Sequence, residues 1–249
     1  MTATVPAEFL YRDKKLGDVE TVTFATSPDV FYPTSTTVLL LRTARSALGH
    51  PCRSVLDLGC GCGVVAVVLA RHLPRGTTVC ASDLSEEAAR LTQRNAERNG
   101  VTVDCRCGSL FEPWAGQRFD LIVDDVAGVA EPVDRLSGWY PPGVPSGAGR
   151  DGARWILEIL DGAPDHLTPE GRLVFPVLTL SRADLILDRA RVRFASVTLV
   201  EEQWYPLTEA VLEQLPLVEE LAREGNIRVE KHGSRWCWAT MIYRAQGPT

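Results

Sequence analysis

No apolar run in this chain is longer than Val64 to Ala70, far short of the roughly 20 residues that cross a bilayer as a helix. The first fifteen residues, MTATVPAEFLYRDKK, contain no apolar signal core, so a cytoplasmic protein without membrane contact is expected. Positive charge is not in excess: 26 Lys and Arg stand against 32 Asp and Glu, a net charge of −6. That argues against a general phosphate-backbone binder and for a small-molecule or protein substrate. Arg182, Arg189, Arg191 and Arg193 gather near one helix, which in an acidic chain reads as a solvated face. Neither C-x-x-C nor H-x-x-x-H occurs, and His50, His72, His166 and His232 are scattered. Zinc sites have tighter ligand spacing, so no metal is expected. The seven cysteines, an odd number, read as free thiols.

What is present is an α/β pattern. The chain has 249 residues, 45% of them apolar, enough for one sizeable core. Residues 1–33 are mixed, and helical spacing runs from Thr34 to Leu48 before Gly49-His50-Pro51 stops it. Short strands are expected at 54–58, 78–82, 101–107, 119–124, 172–178, 196–200 and 236–243. Helices are expected at 64–73, 85–100, 151–167, 181–191 and 208–224. Residues 125–149, rich in glycine and proline, read as one long loop, and long loops are often functional. Strands alternating with helices predict βαβ units around a parallel sheet. The division expected is an N-terminal lead over 1–50 and one α/β domain over 51–249.

The strongest local signal is Ser54-Val55-Leu56-Asp57-Leu58-Gly59-Cys60-Gly61-Cys62-Gly63. Glycines at alternate positions strip side chains from the turn after a strand, so a ligand can approach backbone N–H groups at a helix N-terminus. Asp83 ends the next strand, 20 residues after Gly63, where an acid can accept hydrogen bonds from a ribose diol. A dinucleotide fingerprint needs a further glycine where Val64 and Val65 stand. Asp57 beside the turn suits a ligand amine. Both favour S-adenosylmethionine (SAM).

The segment VLDLGCGCGVVAVVLA resembles the SAM motif of class I methyltransferases, and the chain is similar to the family that methylates a glutamine of peptide-chain release factors. Val30-Phe31-Tyr32-Pro33 with Thr37 and Leu39-Leu40 resembles that family's motif before the core. Gly108-Ser109-Leu110-Phe111-Glu112-Pro113, Gly149-Arg150-Asp151-Gly152 and Leu167-Thr168-Pro169-Glu170-Gly171-Arg172-Leu173 resemble its later segments. The likeness covers roughly residues 28 to 200, the scale of a domain. It implies a Rossmann-like seven-stranded sheet flanked by helices and a SAM site. On this pattern Asp57, Gly59 and Gly61 meet the methionine part, Asp83 the ribose, and Ser109 and Leu110 the adenine. Phe31, Thr37, Cys60, Gly63, Leu84, Phe111 and Asp124 complete the expected cofactor shell.

The family carries N-P-P-Y after its fourth strand, and here those positions read Asp125-Val126-Ala127-Gly128; Thr34 and Ser35 replace its Arg and second Pro. A site built for one polar group leaves partners unpaired when that group changes. A non-amide acceptor, small molecule or protein side chain, is therefore expected. Asp124 or Asp125 would act as its hydrogen-bond acceptor or base, unless they only cap the turn. Tyr32, Trp139, Tyr140, Trp204 and Tyr205 fall in segments that can cover the crevice, where aromatic faces attract a sulfonium cation by about 0.5–2 kcal/mol. Such a box also fits an alternative, a SAM cyclase that forms azetidine-2-carboxylic acid and methylthioadenosine without a second substrate. A third reading is a SAM-binding module that has lost catalysis.

Overall fold

In the computed structural model the described residues are 6–48, 52–141 and 143–249; the expected stop at Gly49-His50-Pro51 lies outside them. The elements run β1 (Glu8–Tyr11), β2 (Val22–Ala25), α1 (Ser35–Ser46), β3 (Ser54–Leu58), α2 (Val64–His72), β4 (Thr78–Asp83) and α3 (Glu86–Arg98). Then follow β5 (Asp104–Cys107), β6 (Phe119–Asp124), α4 (Glu131–Ser137), α5 (Arg154–His166), β7 (Leu167–Leu178), α6 (Ala183–Arg193) and β8 (Phe194–Pro206). The chain ends with α7 (Glu209–Leu212), α8 (Leu215–Arg223), β9 (Glu230–His232) and β10 (Arg235–Pro248).

The main sheet has the order β5-β4-β3-β6-β7-β10-β8, with β9 pairing β10. Strands β3 to β7 are parallel, and β10 runs antiparallel to both its neighbours. The central strands are apolar on both faces because each face is covered, as parallel sheets require. Val55, Leu121 and Val123 point into the core shared with α1, α2 and α3. Leu56, Leu58 and Ile122 point to the opposite core under α5 and α6. A third cluster, on Val129, Val133, Leu207, Val211, Val218, Leu221 and Trp238, ties α4, α7 and α8 to the end of β10.

Local chemistry sets the boundaries. Thr34 accepts from the Thr36 N–H and closes a capping box with Thr37 to start α1, as such boxes do. Ser85 accepts from the Ala88 N–H to start α3. Gly63 opens α2 with φ at 87° and no side-chain cap. The expected long loop at 125–149 contains α4, and the expected helix at 208–224 is two helices, broken before Pro216. Residues 1–33 hold a hairpin, β1 against β2. Asn95 clamps it by accepting from the Ala25 N–H and donating to the Ala25 and Cys62 carbonyls.

The order of strands reverses between β3 and β6. Helix-covered sheets bind ligands outside the carboxyl ends of their strands at such a point. There Leu58 is level with Asp124, and the Asp125 N–H donates to the Leu58 carbonyl at 2.9 Å. The glycine turn and Asp125 therefore face one crevice.

Candidate active site at the switch point

The crevice is a cavity of about 390 Å³ lined from the glycine turn to the start of α7. The turn is held open by backbone conformation. Gly59 sits at φ 74°, and a Cβ there would stand 2.9 Å from Val126 and 3.0 Å from the Asp125 carbonyl. Gly61 sits at φ 55°, with only the Phe31 carbonyl near its absent Cβ, at 3.8 Å. Its missing side chain thus leaves room in the cavity, as a backbone-approaching ligand needs.

Four carboxyls converge here. Asp57 is fully buried; its Oδ2 accepts from the Ala66 N–H at 3.0 Å, and its Oδ1 has no partner among the described residues. Burial, then the nearby Asp125 charge, holds its proton on well above the usual range. Asp83 spans the turn, accepting from Gly61 N–H at 2.9 Å and Ser85 N–H at 2.8 Å, and burial raises its pKa. Asp124 is buried and accepts from the Val126 N–H at 3.0 Å; burial lifts it to about 8. Asp125 faces the cavity itself. Burial lifts it to about 7, against a hydrogen bond from Thr37 that lowers it. A buried carboxyl prefers its neutral form, and a cation beside it reverses that preference. The unpartnered Asp57 oxygen and the open glycine backbone therefore fit a ligand with a cationic amine.

Of the residues expected around the cofactor, Phe31, Thr37, Cys60, Leu84, Ser109 and Leu110 line the cavity with Asp57, Gly59, Gly61 and Asp83. Three lie off it. Gly63 packs against Thr92, Phe111 stacks on His166 at 4.5 Å, and Asp124 points into the turn that it caps. Cys60 and Cys62 are buried, and burial pushes the Cys62 thiol up to about 12, so both are packing thiols.

The aromatic residues divide by strand parity and packing. Tyr140 lines the cavity and stacks on Phe31 at 4.8 Å. Trp139 and Tyr205 line it and flank Trp238, at 5.3 and 5.1 Å. Trp204 alternates to the other face of β8 and meets His232 at 4.5 Å; Tyr32 turns to Phe9 at 5.7 Å. Neither joins the box. Trp238, Trp155 and Thr208 line the cavity without having been singled out in the sequence. For Trp238 the signal was Trp236-Cys237-Trp238, a strand pair two apart that faces one side. Nothing short of β10's place in the sheet says which side that is.

Strand order, glycine turn and acids give this chain the fold of class I methyltransferases. The family model for the methyltransferase small domain matches residues 21–125. Within that class the sequence relatives are glutamine methyltransferases. The release factor glutamine methyltransferase of Geobacter sulfurreducens is 36% identical over 168 residues, 66% of this chain and 58% of the relative. The ribosomal protein uL3 glutamine methyltransferase of Bradyrhizobium diazoefficiens is 36% identical over 142 residues, 53% of this chain and 43% of the relative. The chain spans about half the length of the curated relatives it matches. Among solved structures, the 16S rRNA N2 G1207 methyltransferase of T. thermophilus, in complex with AdoMet and guanosine, aligns with a TM-score of 0.58 at 19% identity. That alignment covers 96% of this chain and 50% of the other.

These relatives overturn the expected reaction. They are named for an amide acceptor, glutamine, so neither the non-amide acceptor nor the azetidine-forming cyclase stands, and they are enzymes rather than binding modules. The physical reason lies in Asp125. Loss of the family's Asn removes an amide side chain, but an acceptor's N–H needs only a hydrogen-bond acceptor, which a carboxylate supplies. The small-molecule substrate is corrected likewise, since the relatives are named for protein substrates.

Proposed function

We propose that this chain methylates the side-chain nitrogen of a glutamine in a protein substrate such as a release factor or a ribosomal protein. The observation that carries the reading is Asp125, a carboxyl facing the same cavity as the glycine turn in a chain whose relatives are glutamine methyltransferases.

SAM supplies an electrophilic methyl group on a sulfonium. The chain's own residues do the rest. The free Asp57 Oδ1 accepts from the cofactor's amine, and the bare backbone at Gly59 and Gly61 lets the methionyl part lie close. Asp83 has lone pairs left over from Gly61 and Ser85 for the ribose hydroxyls. Ser109 and Leu110 flank the adenine, with Phe31, Thr37 and Leu84 closing the rim. Asp125 accepts one amide N–H of the glutamine, orients its nitrogen in line with the methyl, and takes the proton as the N–C bond forms and the S–C bond breaks. Positioning of this kind is a large part of transfer catalysis. Trp139, Tyr205 and Trp238 keep water from the acceptor.

The test is direct. The purified chain is incubated with SAM and, separately, with a release factor and ribosomal protein uL3 from the same cell, and tryptic peptides are read by mass spectrometry. One added methyl on a glutamine, with S-adenosylhomocysteine released in equal amount, is expected. SAM bound but both proteins unmodified at every glutamine would defeat the reading.

A further inference from the structure

An amide held for methylation needs two partners: an acceptor for its N–H and a donor for its carbonyl oxygen. Asp125 meets only the first, because an ionised carboxylate accepts and does not donate. The two backbone donors nearest to it in sequence are already engaged. The Asp125 N–H is given to Leu58 and the Val126 N–H to Asp124, and the Thr37 hydroxyl is engaged with Asp125. A buried carbonyl left without a donor would weaken binding severely.

Two residues lining the same cavity, Tyr205 and Thr208, carry hydroxyls that are buried and have no partner among the described residues. Neither is explained by the fold. Thr208 occupies the N-cap position of α7, where threonine ordinarily caps, yet its side chain makes no cap bond. The Tyr205 ring is held by Trp238 at 5.1 Å, so packing fixes the ring while its hydroxyl stays unused. Buried hydroxyls without partners are rare in folded proteins and call for an explanation.

Resting on the glutamine reading, we infer that the Tyr205 and Thr208 hydroxyls donate to the carbonyl oxygen of the acceptor amide, replacing the side-chain donor that Asp125 has lost. The arrangement also sets specificity. Asp125 repels a glutamate carboxylate, which lacks the N–H that an amide offers. An amide alone satisfies both ends. Tyr205 and Thr208 are then positioning residues for the acceptor and leave cofactor binding untouched.

The experiment titrates propionamide, the amide end of a glutamine, into full-length protein saturated with S-adenosylhomocysteine. Tryptophan indole N–H resonances report occupancy, and propionate is the control. Wild type, Tyr205→Phe, Thr208→Val and the double variant are compared. Expected are saturable indole shifts with propionamide but not propionate. Each single variant weakens that binding roughly three- to tenfold, the scale of one lost hydrogen bond. Affinity for S-adenosylhomocysteine stays the same, and Tm does not fall, because the deleted hydroxyls satisfy nothing in the fold. Equal propionamide affinity in wild type and double variant would overturn this inference and leave the glutamine reading intact. Wild type that binds propionate as well as propionamide would overturn the glutamine reading itself.

Discussion

Asp125 holds its proton to about 7 because its surroundings are dry, with only Thr37 favouring the charged form. The ionised form is the one that can accept an amide N–H and then the proton. Turnover should therefore rise with pH through that titration. In kcat/KM for SAM, which reports the free enzyme, the rising limb is expected near 7. In kcat/KM for the protein acceptor at saturating SAM it should lie lower, because a cation beside a carboxyl favours ionisation. Asp125→Ala should cost about 100-fold or more in kcat, the usual scale for a lost proton acceptor, and Asp125→Asn should remove the limb. An unshifted limb in the Asn variant would assign the titration to another group.

At the scale of elements, the acceptor side of the cavity depends on helices that touch neither cofactor nor acceptor. Leu221 on α8 is fully buried in the cluster that includes Val211, Val218 and Trp238. Leu221→Ala should cost about 2–5 kcal/mol of stability, the cost of an unfilled core cavity, read by urea denaturation. It should also weaken propionamide binding while sparing S-adenosylhomocysteine, whose proposed ligands sit at the ends of β3, β4 and β5. An equal loss for both would mean that the two halves of the cavity are one cooperative unit. That α8 exists as a separate helix was half legible: the apolar spacing from 208 to 224 announces a helix, and Pro216, which cannot sit in a helix interior without breaking a bond, marks the break.

For the molecule as a whole, the N-terminal segment is a working part of the fold. Arg45 grips both oxygens of Asp18 at 2.7 Å, and Arg42 joins Asp13 to Glu201 on β8. The Arg45 guanidinium holds the Asp18 carboxyl down at about 2, against an ordinary 3.8. The pair therefore contributes stability that is present above about 3.8 and is lost as pH falls toward 2. Across that window the unfolded chain binds the extra proton. Asp18→Asn should cost about 2 kcal/mol at pH 7, one pKa unit being 1.36 kcal/mol, and only a small fraction of that at pH 2. A denaturation series from pH 2 to 7 on both proteins reads the difference, and a gap that does not close in acid would trace the loss to packing.

The sequence by itself determined the glycine turn, its flanking Asp57 and Asp83, and the alternation of strands and helices. Each of these is written in contiguous residues, where local conformation and periodicity act. It also carried the family likeness that led to the cofactor. It could not decide the acceptor. That depends on which face of β8 and β10 turns inward, on the groups placed around Asp125, and on hydroxyls 80 or more positions further along the chain that are unpaired among the described residues. Asp125 in place of an asparagine reads, in sequence alone, as the loss of an amide-binding group. In the proposed reading one half of that group's work stays with Asp125 and the other passes to Tyr205 and Thr208, a division that only the folded cavity can suggest, because hydrogen-bond satisfaction is a property of neighbours in space.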